Sequence, residues 1–302
     1  MIEEYNLYPL HVFRMVARFG SVTRAAQELC ISQPAVSSHL KTLETRYNEP
    51  LFERTPRGML ITPAGEAVTE QANRVFALLG DITSVVEATR REVKGAVLLA
   101  ASSTPAAYLV PRLLRRFQET YPEVRPTLMV GDSQEVLSWL QEYRVALGVV
   151  GNTAIASGFL REEIGQDVLR LTVATTDPLS RVSEITREHL AGKTLLLREL
   201  GSGTRAGAER LLCGQIDDFA RVVELPSTEV IKQSVAAGLG VAVLSSWATE
   251  LEEKAGLLTP VADTRFHQQR RFYLVRREDR PLRGTVAALW QSLTQSLTIA
   301  QN

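Results

Sequence analysis

The sequence predicts an α/β protein with a small helical unit and hairpin wing first, one long helix next, and a larger strand-and-helix body last. Three observations carry this. Two capped helical patterns joined by a tight turn occupy residues 20–47. An apolar stripe at helical spacing runs through residues 68–93. From Gly95 onward, apolar β-type runs alternate with helical patterns, at residues 96–101, 126–130, 145–150, 169–174, 194–197, 241–244 and 272–275. Such alternation indicates mostly parallel sheets with helices between the strands.

Composition narrows the function classes. The 302 residues suit two or three compact units. The 34 Lys+Arg balance 34 Asp+Glu, so a protein that coats nucleic acid by bulk charge is excluded and any DNA contact is local. Cys30 and Cys213 make no disulfide framework and fit a reducing cytoplasm. Glu3 and Glu4 stand where a signal peptide would carry positive charge, and no apolar run approaches a membrane span. A soluble, cytoplasmic protein with no membrane contact is expected.

The first helix of the tight pair begins at Ser21 as N-cap and carries Ala25 and Ala26, small enough for close helix approach. Ser32 caps the second, with Pro34 in its first turn. This is a helix-turn-helix layout. At about 100° per residue, Val36, Leu40, Leu43 and Tyr47 share one face, expected as core. Pro34, Ser38, Lys41 and Thr45 share the opposite face, with Ser37 and Thr42 on its flanks. Short donors and one cation suit a helix in a major groove. The same face also suits an ordinary solvated helix, and the helix alone does not decide.

Residues 51–62 read as a hairpin with Pro56 and Gly58 in its turn and Arg54 and Arg57 near its tip. Arginines there suit phosphate or minor-groove contacts. Residues 1–62 hold seven Lys/Arg against six Asp/Glu, so the footprint lies in the placing of Arg24, Lys41, Arg54 and Arg57.

The ordered run of residues 20–26, 32–37, 43–44, 50–54 and 60–65 resembles the DNA-binding domain of LysR-type transcriptional regulators. The resemblance implies a winged helix-turn-helix at 1–62 that binds double-stranded DNA. Its candidate contacts are Thr23, Arg24, Ser32, Gln33, Pro34, Ser37, Ser38, Lys41, Arg54 and Arg57. The stretch from Arg198 to Arg205, with Gly201-Ser202-Gly203-Thr204 inside it, looks most like the branch regulating sulfur and inorganic-carbon assimilation.

Thr62-Pro63 reads as a helix start. Beyond it, Val68, Ala72, Val75, Leu79, Ile82, Val86, Thr89 and Val93 recur at spacings of four and three, a heptad stripe. A seam this long and narrow needs a partner, either another part of its own chain or a second chain. The resemblance implies a dimerisation linker at 63–94, a homodimer through it, and a homotetramer that contacts RNA polymerase.

In the body, hydroxyl-rich junctions follow the strands: residues 101–105, 131–134, 198–205 and 226–229. Open α/β sheets bind ligands at such carboxyl ends, and helix N-termini favour anions. Each junction alone is also an ordinary capped helix. The resemblance implies that they converge in a two-lobed, periplasmic-binding-protein-like effector domain at 95–302. Lobe 1 would be about 95–163 plus 266–302, and lobe 2 about 164–265. The candidate ligand residues are Ser102, Ser103, Thr104, Ser133, Ser202, Gly203, Thr204 and Thr228, for a small anionic effector. Thr104 is expected to cap its own helix, which would make Ser202 the cleaner probe. Pro105 departs from members with a polar side chain there, and Arg205 could add charge or face solvent.

No catalytic residue, metal or cofactor is expected. His11, His39, His189 and His267 have no metal spacing, and Ser202 is not in a nucleophile elbow. A peroxide-type disulfide switch needs two nearby cysteines, and Cys30 reads as a small buried residue. A solute-binding protein without DNA function is the alternative, but it leaves residues 1–94 unexplained.

Overall fold

The structure, a computed structural model, describes residues 6–56, 58–89, 92–151 and 155–295. It contains two compact units, one centred on residues 1–83 and one on 84–141 with 145–302. In the first, α1 (Tyr8–Phe19), α2 (Val22–Leu29) and α3 (Gln33–Tyr47) precede a hairpin of β1 (Phe52–Thr55) and β2 (Gly58–Ile61). The helix α4 (Pro63–Thr89) follows.

Local chemistry sets these boundaries as expected. Ser21 Oγ accepts from Arg24 N at 3.3 Å and Ser32 Oγ from Ala35 N at 3.3 Å, so both predicted N-caps form. Thr62 Oγ1 accepts from Gly65 N at 3.0 Å and opens α4. Between α2 and α3, Cys30 adopts a left-handed φ of 53°. That position ends a helix and faces outward, so Cys30 is exposed, not buried as its small size suggested. Val36, Leu40 and Leu43 are buried beneath Phe13 and Val16, but Tyr47, expected beside them, is exposed on the last turn of α3.

Thr55 pairs with Gly58, which leaves two residues for the wing's turn. Met59 N donates to Gly20 O at 2.9 Å, anchoring the wing on the α1–α2 corner. Gly58 must be glycine there: its φ is +130°, and a Cβ would stand 2.6 Å from Gly20 O. Glu44 Oε1 accepts from Leu51 N at 2.9 Å and ties α3 to the base of the wing.

The stripe on α4 divides in two. Val68 packs on the winged core and Ala72 is buried, so the first turns cover their own unit. Leu79, Ile82 and Val86 are 42%, 55% and 52% exposed in the single chain. The helix is assigned to Thr89, and Val93 leaves the stripe to pack into the core of the second unit.

The second unit runs β3 (Gly95–Ser102), α5 (Ser103–Tyr108), α6 (Val110–Thr120), β4 (Val124–Gly131), α7 (Ser133–Gln141), β5 (Leu147–Val150) and β6 (Phe159–Ala174). Then come α8 (Arg187–Ala191), β7 (Thr194–Arg198), α9 (Gly203–Leu211), β8 (Arg221–Leu225), α10 (Thr228–Ala236), β9 (Val241–Ser245) and α11 (Ser246–Lys254). The chain closes with β10 (Leu258–Pro260), β11 (His267–Arg277) and α12 (Gly284–Gln295).

All seven expected runs are strands, but the sheet is mixed. Among the described residues the order is β4-β3-β5-β11-β6-β9-β7-β8, with β10 on β6. The β3/β4, β3/β5, β7/β8 and β7/β9 pairs are parallel. The pairs made by β6 and β11 are antiparallel, because these two strands carry the chain from one lobe to the other and back. One lobe is built on Leu99, Phe117, Leu147 and Leu289, and the other on Leu171, Leu195, Leu212 and Val243. The register of β6 with β11 shifts between Phe272 and Tyr273, a bulge at the crossing.

Candidate functional site

The first unit presents a polar, partly cationic face. Gln33, Pro34, Ser38 and Lys41 are exposed along α3, and Ser37 is half-buried. Ser32 is exposed as the cap of α3, and Thr23 and Arg24 are exposed on α2. Arg24 lies 5.0 Å from the Phe19 ring centroid, a stacking that steadies its long side chain. Arg54 is exposed on β1. Arg57, the other wing arginine, lies outside the described residues.

In the second unit, strand ends bring the hydroxyl junctions together. Ser102 ends β3 and Ser103 to Pro105 follow it, Asp132 and Ser133 follow β4, and Gly151 follows β5. Ser202 to Thr204 face them from the start of α9, and Arg270 and Phe272 rise from β11. These residues line one cleft between the lobes. The predicted Ser102, Ser103, Thr104, Ser133, Ser202, Gly203 and Thr204 are all in it. Thr228 is not; its Oγ1 instead accepts from Arg198 Nη1 at 2.8 Å.

The cleft is narrow. Thr104 Oγ1 and Thr204 Oγ1 stand 3.4 Å apart across it. Only about 10 Å³ remains for the centre of a water-sized occupant, room for one water. Gly201 and Gly203 permit this approach: a Cβ on Gly201 would meet Asp132 Oδ2 at 2.5 Å, and one on Gly203 would meet Ser133 Oγ at 2.8 Å.

The hydroxyls have different duties. Ser202 Oγ accepts from Thr204 N at 3.3 Å and Arg205 N at 3.5 Å, so it caps α9. Thr104 is not the cap of α5; that position is Ser102. This reverses the expectation that Ser202 is the cleaner probe. Ser133 Oγ is buried and has no hydrogen-bond partner among the described residues. A buried hydroxyl without a partner costs about 1–3 kcal/mol, so it is an acceptor's natural target.

The main feature missed from sequence is Arg270. It is buried on β11, directly opposite Asp167 on β6. Its Nε donates to Asp167 Oδ2 at 2.8 Å, and its Nη1 donates to Thr204 Oγ1 at 3.2 Å. Nη2 stands 2.7 Å from Asp167 Oδ2 as an ionic contact, at an angle too poor for a hydrogen bond. Burial pulls the guanidinium below its ordinary pKa, and the Asp167 charge opposes that shift. Asp167 also accepts from Ser246 Oγ at 2.9 Å. The available signal was period two: Arg270, Phe272 and Leu274 share one buried face of a strand whose apolar run was read only from 272.

Arg205 does not enter the cleft. It pairs with Glu209 and Glu224 and donates from Nη1 to Arg198 O at 3.0 Å, which braces the loop.

Comparison with known proteins follows the two units. Residues 7–66 match the model of bacterial regulatory helix-turn-helix proteins of the lysR family. Residues 90–298 match the LysR substrate binding domain. The chain is 34% identical to the HTH-type transcriptional regulator CbbR of Rhodospirillum rubrum, over 94% of each chain. It is 31% identical to a RuBisCO operon transcriptional regulator of Allochromatium vinosum, over 94% of this chain and 93% of that one. The regulatory domain of CcmR from Synechocystis PCC6803, solved in complex with 2-PG, superposes with a TM-score of 0.61 at 27% identity. That match covers 67% of this chain and 97% of the domain.

Breaking the central pair from one side tests its weight. Asp167→Asn leaves a buried guanidinium without a counter-charge and lowers stability by about 3–5 kcal/mol in urea unfolding. Adding Arg270→Gln recovers part of the loss, because the uncompensated charge is gone. Two independent, additive losses would show that the residues do not act as a pair.

Proposed function

The chain belongs to the LysR family of bacterial helix-turn-helix transcriptional regulators, and from that premise we propose that a small anion in the inter-lobe cleft sets its action at the promoter. The observation that carries this reading is Ser133 Oγ, buried without a partner in a cleft that also holds Arg270. Hydrogen bonds to a charged acceptor contribute about 1.5–3 kcal/mol each, so hydroxyls around one part-compensated cation suffice for an anion. The CcmR regulatory domain, solved in complex with 2-PG, supports the class of ligand. An effector of several atoms needs the Thr104–Thr204 contact to part.

In this reading the α3 face and the wing contact duplex DNA, with Lys41 and Arg54 at phosphates and Ser37 and Ser38 at the groove. The exposed stripe on α4 pairs two chains, and dimers assemble further into a tetramer. Two weak DNA footprints on one duplex then bind far more tightly than one. The protein acts in the cytoplasm, where promoter DNA and RNA polymerase are, and it has no enzymatic step. No helix among the described residues is long and apolar enough to cross a membrane.

Three measurements test these assignments. Arg54→Ala removes one phosphate contact per protomer and lowers the slope of log affinity against log salt by about 0.9 for each; an unchanged slope removes the wing from the interface. Leu79→Glu places a charge in the proposed seam and yields monomers in sedimentation; an unchanged oligomer assigns the seam to its own chain. Ser133→Ala weakens phosphate or short-carboxylate binding about tenfold in calorimetry, with no loss of stability, because the hydroxyl has no partner to lose and its uncompensated burial is relieved. Binding by neutral ligands alone overturns the anion site.

A further inference from the structure

We propose that Arg18, on the last turn of α1, contacts DNA phosphate and forms with Arg24 a two-arginine clamp built on the ring of Phe19. This rests on the DNA-binding reading above and extends it to a residue outside the helix-turn-helix and the wing.

Two arginines lie one turn apart on α1, and their surroundings separate their duties. Arg14 is committed to α4. Its Nε donates to Asn73 Oδ1 at 2.8 Å, and its guanidinium lies 4.5 Å from the Phe76 ring centroid. Burial pulls that guanidinium below its ordinary pKa, and the nearby Arg18 charge adds to the shift. Arg18 is exposed. Its guanidinium carbon lies 5.3 Å from the Phe19 ring centroid, and that of Arg24 lies 5.0 Å from the same centroid. Among the described residues, neither of these two guanidinium groups has a hydrogen-bond or ion-pair partner.

Two like charges on one ring repel each other. The ring attracts each cation over its face and so holds together charges that would otherwise separate. A stacked guanidinium gives up a face and keeps its N–H edge, which is the edge that pairs with phosphate oxygens. Phe19 itself packs on the core of the winged unit, so the ring is a fixed support. The ordering of two long side chains, a cost that binding otherwise carries, is already made in the free protein.

The place of the ring suits this use. Phe19 directly precedes Gly20, whose carbonyl accepts from Met59 N of the wing at 2.9 Å. Arg54 stands opposite Met59 in the hairpin register, so both side chains leave the same face of the wing. Arg24 is in the first turn of α2, the helix that crosses the DNA backbone in a helix-turn-helix. Three exposed arginines from three elements thus border the corner, although residues 1–62 are nearly neutral. Each DNA strand carries one phosphate per about 3.4 Å of axis, so two cations on one ring meet phosphates that are neighbours along a strand. Such contacts hold the protein in position and read no bases.

The test is a fluorescence-anisotropy titration of the full-length protein with a mixed-sequence duplex at a series of salt concentrations. Arg18→Ala lowers the slope of log affinity against log salt by about 0.9 per protomer, and Arg18→Lys, which keeps the charge, restores it. Phe19→Leu keeps both charges and the apolar packing but removes the ring. Affinity then falls about threefold per protomer at fixed salt while the slope is unchanged. The Arg18 variants alter an exposed side chain and decide the matter alone where Phe19→Leu fails to fold. An Arg18 that only balances the carbonyl end of α1 lowers stability when lost and leaves the slope alone. If Arg54→Ala lowers the slope and Arg18→Ala does not, this inference is overturned and the DNA-binding reading stands. A folded Phe19→Leu variant of unchanged affinity also overturns the clamp, since the arginines then act without the ring. If neither Arg18→Ala nor Arg54→Ala moves the slope, the reading of this face as the DNA interface falls and the inference falls with it.

Discussion

The second unit depends on one cross-strand pair, Asp167 with Arg270, on the two strands that join the lobes. Two charges taken out of water recover their desolvation only when geometry and further hydrogen bonds are good. Here Asp167 receives Arg270 and Ser246, while Arg270 also reaches Thr204. Such a pair is weak evidence for stability, but it holds a cation at the base of the cleft. The cation touches the start of α9 in one lobe, and its own strand runs on into the other lobe's core at Leu274. The hydroxyl junctions are thus arranged around a fixed charge at the crossing.

In the first unit the constraint is the corner at Gly20. The wing's Met59 donates to it, and Gly58 has no room for a side chain beside it. Glu44 holds the base of the wing to α3 from the other end. The wing and the polar face of α3 are therefore set by bonds that lie away from the exposed residues. Exposed side chains such as Ser38 can therefore change without disturbing the frame. The same economy shows in α4, where the first turns bury Val68 and Ala72 and the later turns leave the stripe outside.

The sequence made local features legible because local chemistry causes them. Ser21, Ser32, Thr62 and Ser227 cap helices by bonds within three residues. The strand runs read correctly for the same reason, since buried parallel strands are continuously apolar. What did not read was non-local. β6 and β11 extend well past their apolar runs, because a crossing between lobes carries charged residues that another strand neutralises. Arg270 was not singled out, because the partner that gives it meaning lies 103 residues away. Tyr47 and Cys30 followed the periodicity and size rules and failed where a helix ends: Cys30 is itself the left-handed cap of α2, and Tyr47 is the last residue of α3, before the left-handed Asn48. The hydroxyl loops are marked by their composition and resemblance, but the division of labour among them is set by contacts between residues distant in the chain.

That division bears on how a small ligand could move two lobes. A ligand shifts an equilibrium only by its differential affinity for the arrangements involved. Bonds within one lobe contribute nothing to that difference. Thr104–Thr204 and Arg198–Ser103 cross between lobes, so they are the contacts whose exchange for ligand bonds has consequences. Ser202 and Asp132 cap helices in their own lobes and keep the loops in place throughout. A coupling of 1–3 kcal/mol is typical of allosteric proteins, about the worth of one or two charge-assisted hydrogen bonds. Two cross-lobe contacts are therefore enough, in magnitude, for a coupling of that size, and the other hydroxyls of the cleft add nothing to it.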